Sequence, residues 1–361
     1  MSTLKVDAIR HNSATSDAIT TASDGTCTAK ITGMTGGGAL SHRNKVINGA
    51  INICQRATTQ NTISASGYYV ADRFNINMVN VGSFRTNLFQ SSQSPDGFNN
   101  SLGVSIGTGT AGAIAASERV SLEQRIESQD LQDLSFGTSA AKSFTLSFYV
   151  RSSRTGQYGI NMRQHDSGKD YNEKFDISVA NTWERKIITV TGNTGDTFAD
   201  DNGIGMWFRI MLRAGSNSVG NVNYQSWGSS DADKAPTGQQ TTWGTDANDD
   251  FYLTGIQLEI GDTATSFEHR SFGEELTRCK RYYQKYSSLT CGYGSANGYA
   301  RSTHILSPEM RDTPTITVTI VPGEAGSLNS TQRDSKHLEV TWQGLSGTST
   351  GDFDAILEAE I

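Results

Sequence analysis

Phe144-Thr145-Leu146-Ser147-Phe148-Tyr149-Val150-Arg151 places a large apolar side chain at every second position. That is the period of a β-strand with one face on a core and the other on solvent or a second surface. The same alternation recurs through Tyr158, Ile160 and Met162, through Lys186, Ile188 and Val190 opposed by Ile187 and Thr189, through Met206, Phe208, Ile210 and Leu212, and through Ile256, Leu258 and Ile260. Turn-forming runs lie between them: Thr155-Gly156, Asn193-Thr194-Gly195-Asp196 and Asp201-Asn202-Gly203. Many short strands broken by Gly, Asn and Asp turns predict an all-β chain built on an antiparallel sandwich. A jelly roll of about eight strands suits the span 44–270, with long loops carrying the excess.

The flanks read differently. Residues 1–43 are rich in Ser, Thr, Ala and Gly, ending near Gly36-Gly37-Gly38, and cannot bury enough surface alone to offset their ordering entropy. They are expected to be an anchoring and oligomerisation arm, ordered by sister chains or a larger assembly, or else a loose tail. At Ser271 the period changes: Ser271 and Glu274 have capping-box spacing, Glu274 and Glu275 favour a helix start, and Lys280, Arg281 and Lys285 favour its end. The apolar side of this connecting helix is expected to hold Leu276, Cys279, Tyr283 and Tyr286. Beyond it, Ile316, Val318 and Ile320 alternate with threonines and Leu338, Val340 and Trp342 follow. Residues 271–361 therefore read as that helix plus a small C-terminal β domain, which helix docking or oligomer contacts should help to hold together.

Composition narrows the function classes. The 361 residues carry a formal charge of −7 and no Lys/Arg run, which argues against nucleic acid as the main ligand. The longest apolar runs are strand-sized, well short of the roughly 18 residues of a membrane helix, and Met1 to Asp7 lacks the basic and apolar regions of a secretory signal. A soluble protein with no membrane insertion and no export signal is expected. Cys27, Cys54, Cys279 and Cys291 are far apart without a C-x-x-C pair and are read as free thiols.

Two motif matches are discounted. Gly107-Thr108-Gly109-Thr110-Ala111-Gly112 fits G-x-G-x-x-G, but Val120 to Ile126 downstream alternates like a strand, not the helix a dinucleotide site needs. Gly347-Thr348-Ser349-Thr350-Gly351 fits G-x-S-x-G, yet the last histidine, His337, precedes it, whereas that elbow needs its histidine later. The six histidines show no metal-ligand spacing. No catalytic constellation assembles, and an enzyme is not expected. Asp246, Asp249 and Asp250, like Asp196, Asp200 and Asp201, sit in oxygen-rich loops that could hold calcium, though without EF-hand spacing a solvated loop is the plainer reading. No other cofactor is implied.

Aromatics are the most suggestive binding feature. Tyr224, Trp227 and Trp243 lie in the polar, Gly-rich stretch 214–250; exposed rings beside amides and carboxylates would make a sugar platform, whereas buried rings would simply fill space under long loops or at a subunit contact. Trp207 alternates with Met206 and Phe208, so it points away from the core.

Several strings resemble virion proteins of marine tailed phages: Ser2-Thr3-Leu4-Lys5-Val6-Asp7-Ala8-Ile9, the run from Asn44 to Ile53 with Gln55-Arg56, and Tyr69-Val70-Ala71-Asp72-Arg73-Phe74. Leu253 to Asp262 running into Phe267 to Leu276, then Cys279 and Arg281-Tyr282-Tyr283, is similar to the closing strand and exit helix of the carbohydrate-binding-like jelly roll of phage tail fibres. Met310-Arg311-Asp312-Thr313-Pro314-Thr315 resembles the opening of their C-terminal β domain. The resemblance implies a tail fibre or receptor-binding appendage of the virion, homotrimeric, docked on tail, portal or adaptor proteins by its N-terminal arm and touching a host surface glycan with its β domains. The alternatives it leaves are a polysaccharide depolymerase using Asp246 or Asp250, and an architectural adaptor, collar or capsid decoration protein.

Overall fold

The computed structural model describes residues 6–361 except 11, 13–14, 24–26, 30–41, 221, 230–233, 293–298, 322–326, 333 and 344–349. Near the N-terminus, β1 (Ala8–Ile9), β2 (Ile19–Thr21) and β3 (Cys27–Ala29) pair in that order into a small sheet. Val6 and Ile9 are exposed there, so the segment gains little from burial of its own.

The body runs through β4 (Thr59–Ile63), β5 (Gly67–Tyr68), β6 (Asn75–Val79), β7 (Thr86–Ser91), β8 (Ser101–Ile106), β9 (Arg119–Glu127), β10 (Phe144–Ser152), β11 (Gly156–Gln164), β12 (Lys169–Ile177), β13 (Glu184–Val190), β14 (Ile204–Ala214) and β15 (Asp250–Ile260). They form two six-stranded antiparallel sheets, ordered β13-β10-β15-β8-β7-β4 and β12-β11-β14-β9-β6-β5. Strands β8 to β15 alone, as β13-β10-β15-β8 over β12-β11-β14-β9, trace the winding of a jelly roll. The remaining four widen each sheet at one edge. Phe144, Leu146, Phe148 and Val150 are fully buried between the sheets with Tyr158, Ile160, Met162, Met206 and Ile210, as the alternation requires. Strand β15 carries one irregularity, where register slips opposite Ser147 and Tyr149. Gly255 sits there at φ +62°, and a Cβ on it would meet Phe98 at 2.6 Å; only glycine suits both the left-handed backbone and the close ring.

The helix α1 spans Phe272–Lys280, and the Ser271 side chain accepts from the Glu274 backbone N–H at 3.3 Å. It is shorter than the sequence pattern suggests. Tyr283 and Tyr286, expected on its apolar side, belong instead to β16 (Tyr283–Gly292), where Tyr283 pairs with Glu358 of β21 (Thr350–Glu358). A full strand ladder displaces the last turn. The C-terminal module is completed by β17 (Tyr299–Ile305), β18 (Thr315–Ile320), β19 (Ser327–Gln332) and β20 (His337–Gln343), in sheets β16-β21-β18 and β17-β20-β19 around Leu338, Val340, Trp342 and Phe353. Thr315, Thr317 and Thr319 face solvent.

Buried charge joins this module to the jelly roll. Glu127, at the end of β9 and fully buried, accepts from the Tyr282 hydroxyl at 2.5 Å and from Arg281 Nη2 at 3.1 Å, with Arg311 Nε at 3.8 Å. Arg73, also fully buried, lies 3.4 Å from the Tyr282 ring centroid, pairs with Glu360 and donates to the Arg125 carbonyl at 2.7 Å. Asp72 accepts from the Gln55 side chain at 2.6 Å, and Gln55 in turn donates to the Tyr283 carbonyl at 3.0 Å.

The run Gly107 to Gly112 is a turn region between β8 and β9 with no helix after it. Residues 347–349 of the G-x-S-x-G match lie outside the described residues. Cys54, Cys279 and Cys291 are free; the side chain of Cys27 lies outside the described residues.

Candidate functional site

Alternation that sends Met206, Phe208 and Ile210 inward sends Trp207, Arg209 and Met211 to the outer face of the second sheet, and strand register decides their neighbours. Across one row, Asp170 of β12 faces Arg163 of β11, which faces Trp207 of β14, which faces Arg125 of β9. The next row reads Asn172, Asn161, Arg209, Glu123 and Asn75.

These side chains are interlocked. Trp207 Nε1 donates to Asn161 Oδ1 at 3.3 Å, and Asn161 Nδ2 donates to Asn172 Oδ1 at 2.9 Å. Glu123 bridges two guanidiniums, taking Arg125 Nη2 on one oxygen at 2.7 Å and Arg209 Nη2 on the other at 2.8 Å. Arg163 Nη1 meets both Asp170 oxygens at 3.3 Å. The guanidinium carbons of Arg209, Arg163 and Arg125 stand 5.3, 5.6 and 6.0 Å from the Trp207 ring centroid, within cation–π range, and the His165 ring is 5.5 Å away. The indole is half-buried among these side chains.

Two walls flank this face. The loop between β14 and β15 runs beside β12, bridging Asn172 to Tyr224 and Asp170 to Gly228, and its Ala235 packs with Met211 over the inner end. On the opposite side the sheet continues from β9 into β6 and β5, and β9 itself runs on from Arg125 to Glu127 at the C-terminal module.

The three loop aromatics separate. Tyr224 is exposed beside β12, with Lys174 Nζ 5.1 Å from its ring centroid; desolvation, and then its contact with Glu173, pushes its phenol above the usual range. Trp227 is half-buried at the rim of the core, its ring 5.6 Å from both Phe136 and Tyr171 and its Nε1 donating to the Thr191 carbonyl at 2.6 Å. Trp243 is fully buried against Phe84 and offers no ring face to a ligand, because the loop folds inward to close the end of the sandwich.

The aspartates do not converge on an ion. Asp249 is buried; one oxygen takes Arg154 Nε at 2.5 Å and the other the Gly244 and Asp246 backbone N–H groups at 2.9 and 3.1 Å. Asp250 pairs with Arg151 at 3.3 Å. Asp246 accepts from Asn248, chiefly its backbone N–H, which lowers its carboxyl below the ordinary value. These carboxylates staple a loop, and among the described residues no cluster of three or more His, Cys, Asp or Glu is set to hold a metal.

What sequence reasoning missed is the partnership around Trp207. The alternation that turned Trp207 outward applies equally to Arg163, Arg209 and Arg125; that signal was in the strands, not in the loops.

No family model matches the sequence, and no curated protein matches it. Solved structures do show likeness. The enzymatically active domain of bacteriophage CBA120 tailspike protein 4 aligns over 60% of this chain at 11% identity and a TM-score of 0.29, and the alignment spans 21% of that chain. The module TmCBM61, solved with β-1,4-galactotriose, aligns over 61% of this chain and 99% of its own at 8% identity and a TM-score of 0.30. A family 11 carbohydrate-binding module from Clostridium thermocellum, in complex with a β-1,3-1,4-mixed-linked tetrasaccharide, aligns over 59% of this chain and 99% of its own at 11% identity and a TM-score of 0.27. The jelly-roll assignment itself rests on the strand order described above.

Proposed function

We propose that this chain binds a polysaccharide on the Trp207 face and serves as the adhesive module of a virion appendage. The observation that carries the binding is an indole on the solvent side of a rigid sheet, surrounded by guanidinium and amide groups. Such a ring packs on the C–H face of a pyranose while the partly exposed guanidiniums of Arg125 and Arg163 bond its hydroxyls. Each group is already fixed by a partner, so little side-chain freedom remains to be lost on binding. Tyr224, across β12, lies where a longer chain would continue.

The virion placement draws on the sequence strings that resemble phage appendage proteins and on the small N-terminal sheet, which gains little from its own burial and suits docking in an assembly. A trimer of such modules would multiply weak contacts into firm attachment.

Incubating the protein with host-surface polysaccharide tests the reading. Retention with no new reducing ends, lost in Trp207→Ala, is expected. Release of reducing ends would make the chain a depolymerase, and no retention on host cells would favour an architectural role, which its position in a particle reconstruction would fix.

A further inference from the structure

We propose a second glycan site on the opposite face of the jelly roll, where a row of aromatic rings across the outer side of the first sheet takes an extended, uncharged glycan. It goes beyond the Trp207 face, which belongs to the other sheet, and does not depend on it.

Alternation decides which side chains meet there. Phe251, Leu253, Leu102, Val104, Leu88 and Val150 are core residues, so Tyr252, Gly103, Phe89 and Arg151 beside them face outward. Register sets these four in line: Arg151 of β10 against Tyr252 of β15, Tyr252 against Gly103 of β8, and Gly103 against Phe89 of β7. Trp183, just ahead of β13, closes the row. Its ring centroid stands 6.3 Å from that of Tyr252, which stands 5.9 Å from that of Phe89. Tyr252 is wedged between the two and buried, while Trp183 and Phe89 are half-buried, so part of each ring stays in contact with water. A Cβ on Gly103 would meet the Phe89 ring at 2.4 Å; glycine is what lets that phenyl rest on the β8 backbone. A polar row runs alongside. Asp250 of β15, Ser105 of β8 and Asn87 of β7 are register partners in turn, and all three are half-buried. Arg151 ties the rows together: its Nη1 meets Asp250 Oδ2 at 3.3 Å, its Nη2 donates to Asn181 Oδ1 at 3.1 Å, and its guanidinium carbon lies 4.9 Å from the Tyr252 ring centroid. Rings beside a line of hydroxyl, amide and carboxylate groups complement a pyranose chain, which offers apolar C–H faces and a hydroxyl edge. A straight row across the sheet suits an extended chain, and the closed Arg151–Asp250 pair suits an uncharged one.

Indole N–H resonances of the full chain test this site by site, since there are only five tryptophans; Trp183→Phe and Trp207→Phe assign the two that matter. Cellohexaose, an extended uncharged chain, should move the Trp183 resonance saturably, and the flexible isomaltohexaose should need roughly tenfold more. Phe89→Ala should weaken the response roughly tenfold, Gly103→Ala should weaken it by lifting the phenyl off the sheet, and Lys142→Gln, an exposed residue elsewhere, should change nothing. Melting curves establish that each variant is folded. Movement of the Trp207 resonance alone would overturn this inference and leave the reading of that face standing; movement of the Trp183 resonance alone would support it whatever becomes of that reading. Movement of neither with either sugar would overturn it, while the Trp207 face stands or falls on retention by host-surface polysaccharide. A Trp183 resonance indifferent to sugar, together with a smaller sedimenting species in Trp183→Ala than in the parent, would instead make the row a contact between copies of the chain.

Discussion

Replacing Glu127 by alanine removes the acceptor at the centre of the contact between the two β modules. Its carboxylate is fully buried and takes the Tyr282 hydroxyl at 2.5 Å, Gln129 Nε2 at 2.5 Å and Arg281 Nη2 at 3.1 Å, with the buried Arg311 beside it. Deleting one partner of a buried pair costs about 3–5 kcal/mol, because the remaining charge stays desolvated. The Arg281 side chain is 38% exposed, so water would recover most of its share. Tyr282 and Arg311 cannot be rehydrated without parting the modules, and about 4 kcal/mol is therefore expected for Glu127→Ala. Glu127→Gln keeps an acceptor for Tyr282 and should cost about half as much. The C-terminal module has a small core, so the loss should fall on it first. Urea titration of the full chain, followed by limited proteolysis at each concentration, should show that module opening ahead of the jelly roll in Glu127→Ala, whereas the two open closer together in the unaltered chain. Coincident unfolding of variant and parent, within about 0.5 kcal/mol, would refute the reasoning.

Three further outcomes follow from the same contacts. Trp243→Ala should destabilise by about 3–5 kcal/mol through cavity formation yet leave polysaccharide retention unchanged in the folded fraction, the opposite of Trp207→Ala; melting curves paired with affinity gels check both. Desolvation, outweighing the Gln55 hydrogen bonds and Arg56, pushes the Asp72 carboxyl up to about 6, so the native chain holds that proton more tightly than the unfolded one and gains stability as pH falls from about 6 toward about 4. The stability of the parent relative to Asp72→Asn should thus be greater at about pH 4.5 than at about pH 7, as read from melts at both. Ser271→Ala should cost about 1 kcal/mol by uncapping α1, measured by urea unfolding.

Period-two patterning made the jelly-roll core legible, since burial on one sheet face is a property of a strand's own sequence. Phe144, Leu146, Phe148 and Val150 could be assigned inward without knowing their partners. The helix start at Ser271 was equally local. Its end was not: Tyr283 and Tyr286 have helical spacing from Cys279, and only the pairing of β16 with β21 shows why the chain turns to strand there. The Trp207 face was hidden for the same reason. Arg125, Trp207 and Arg163 lie far apart in sequence, and the winding of the roll makes them neighbours. Loop aromatics looked more promising because exposure is the usual fate of Gly-rich loops; Trp243 departs from that, its carbonyl accepting from Arg213 and its ring packed edge-on against Phe84.

Strand β9 bears Glu123 and Arg125 under the proposed ligand and, two residues later, Glu127 in the joint with the C-terminal module. It is hydrogen-bonded to β14 from Arg119 to Glu127 and to β6 from Arg119 to Glu123. A tug on a tethered ligand directed along that strand would load both ladders in shear, many bonds at once, instead of peeling them one by one. The same beam would carry the strain to Tyr282 and Arg311, so an adhesive contact and the anchorage of the distal module would share one line of force.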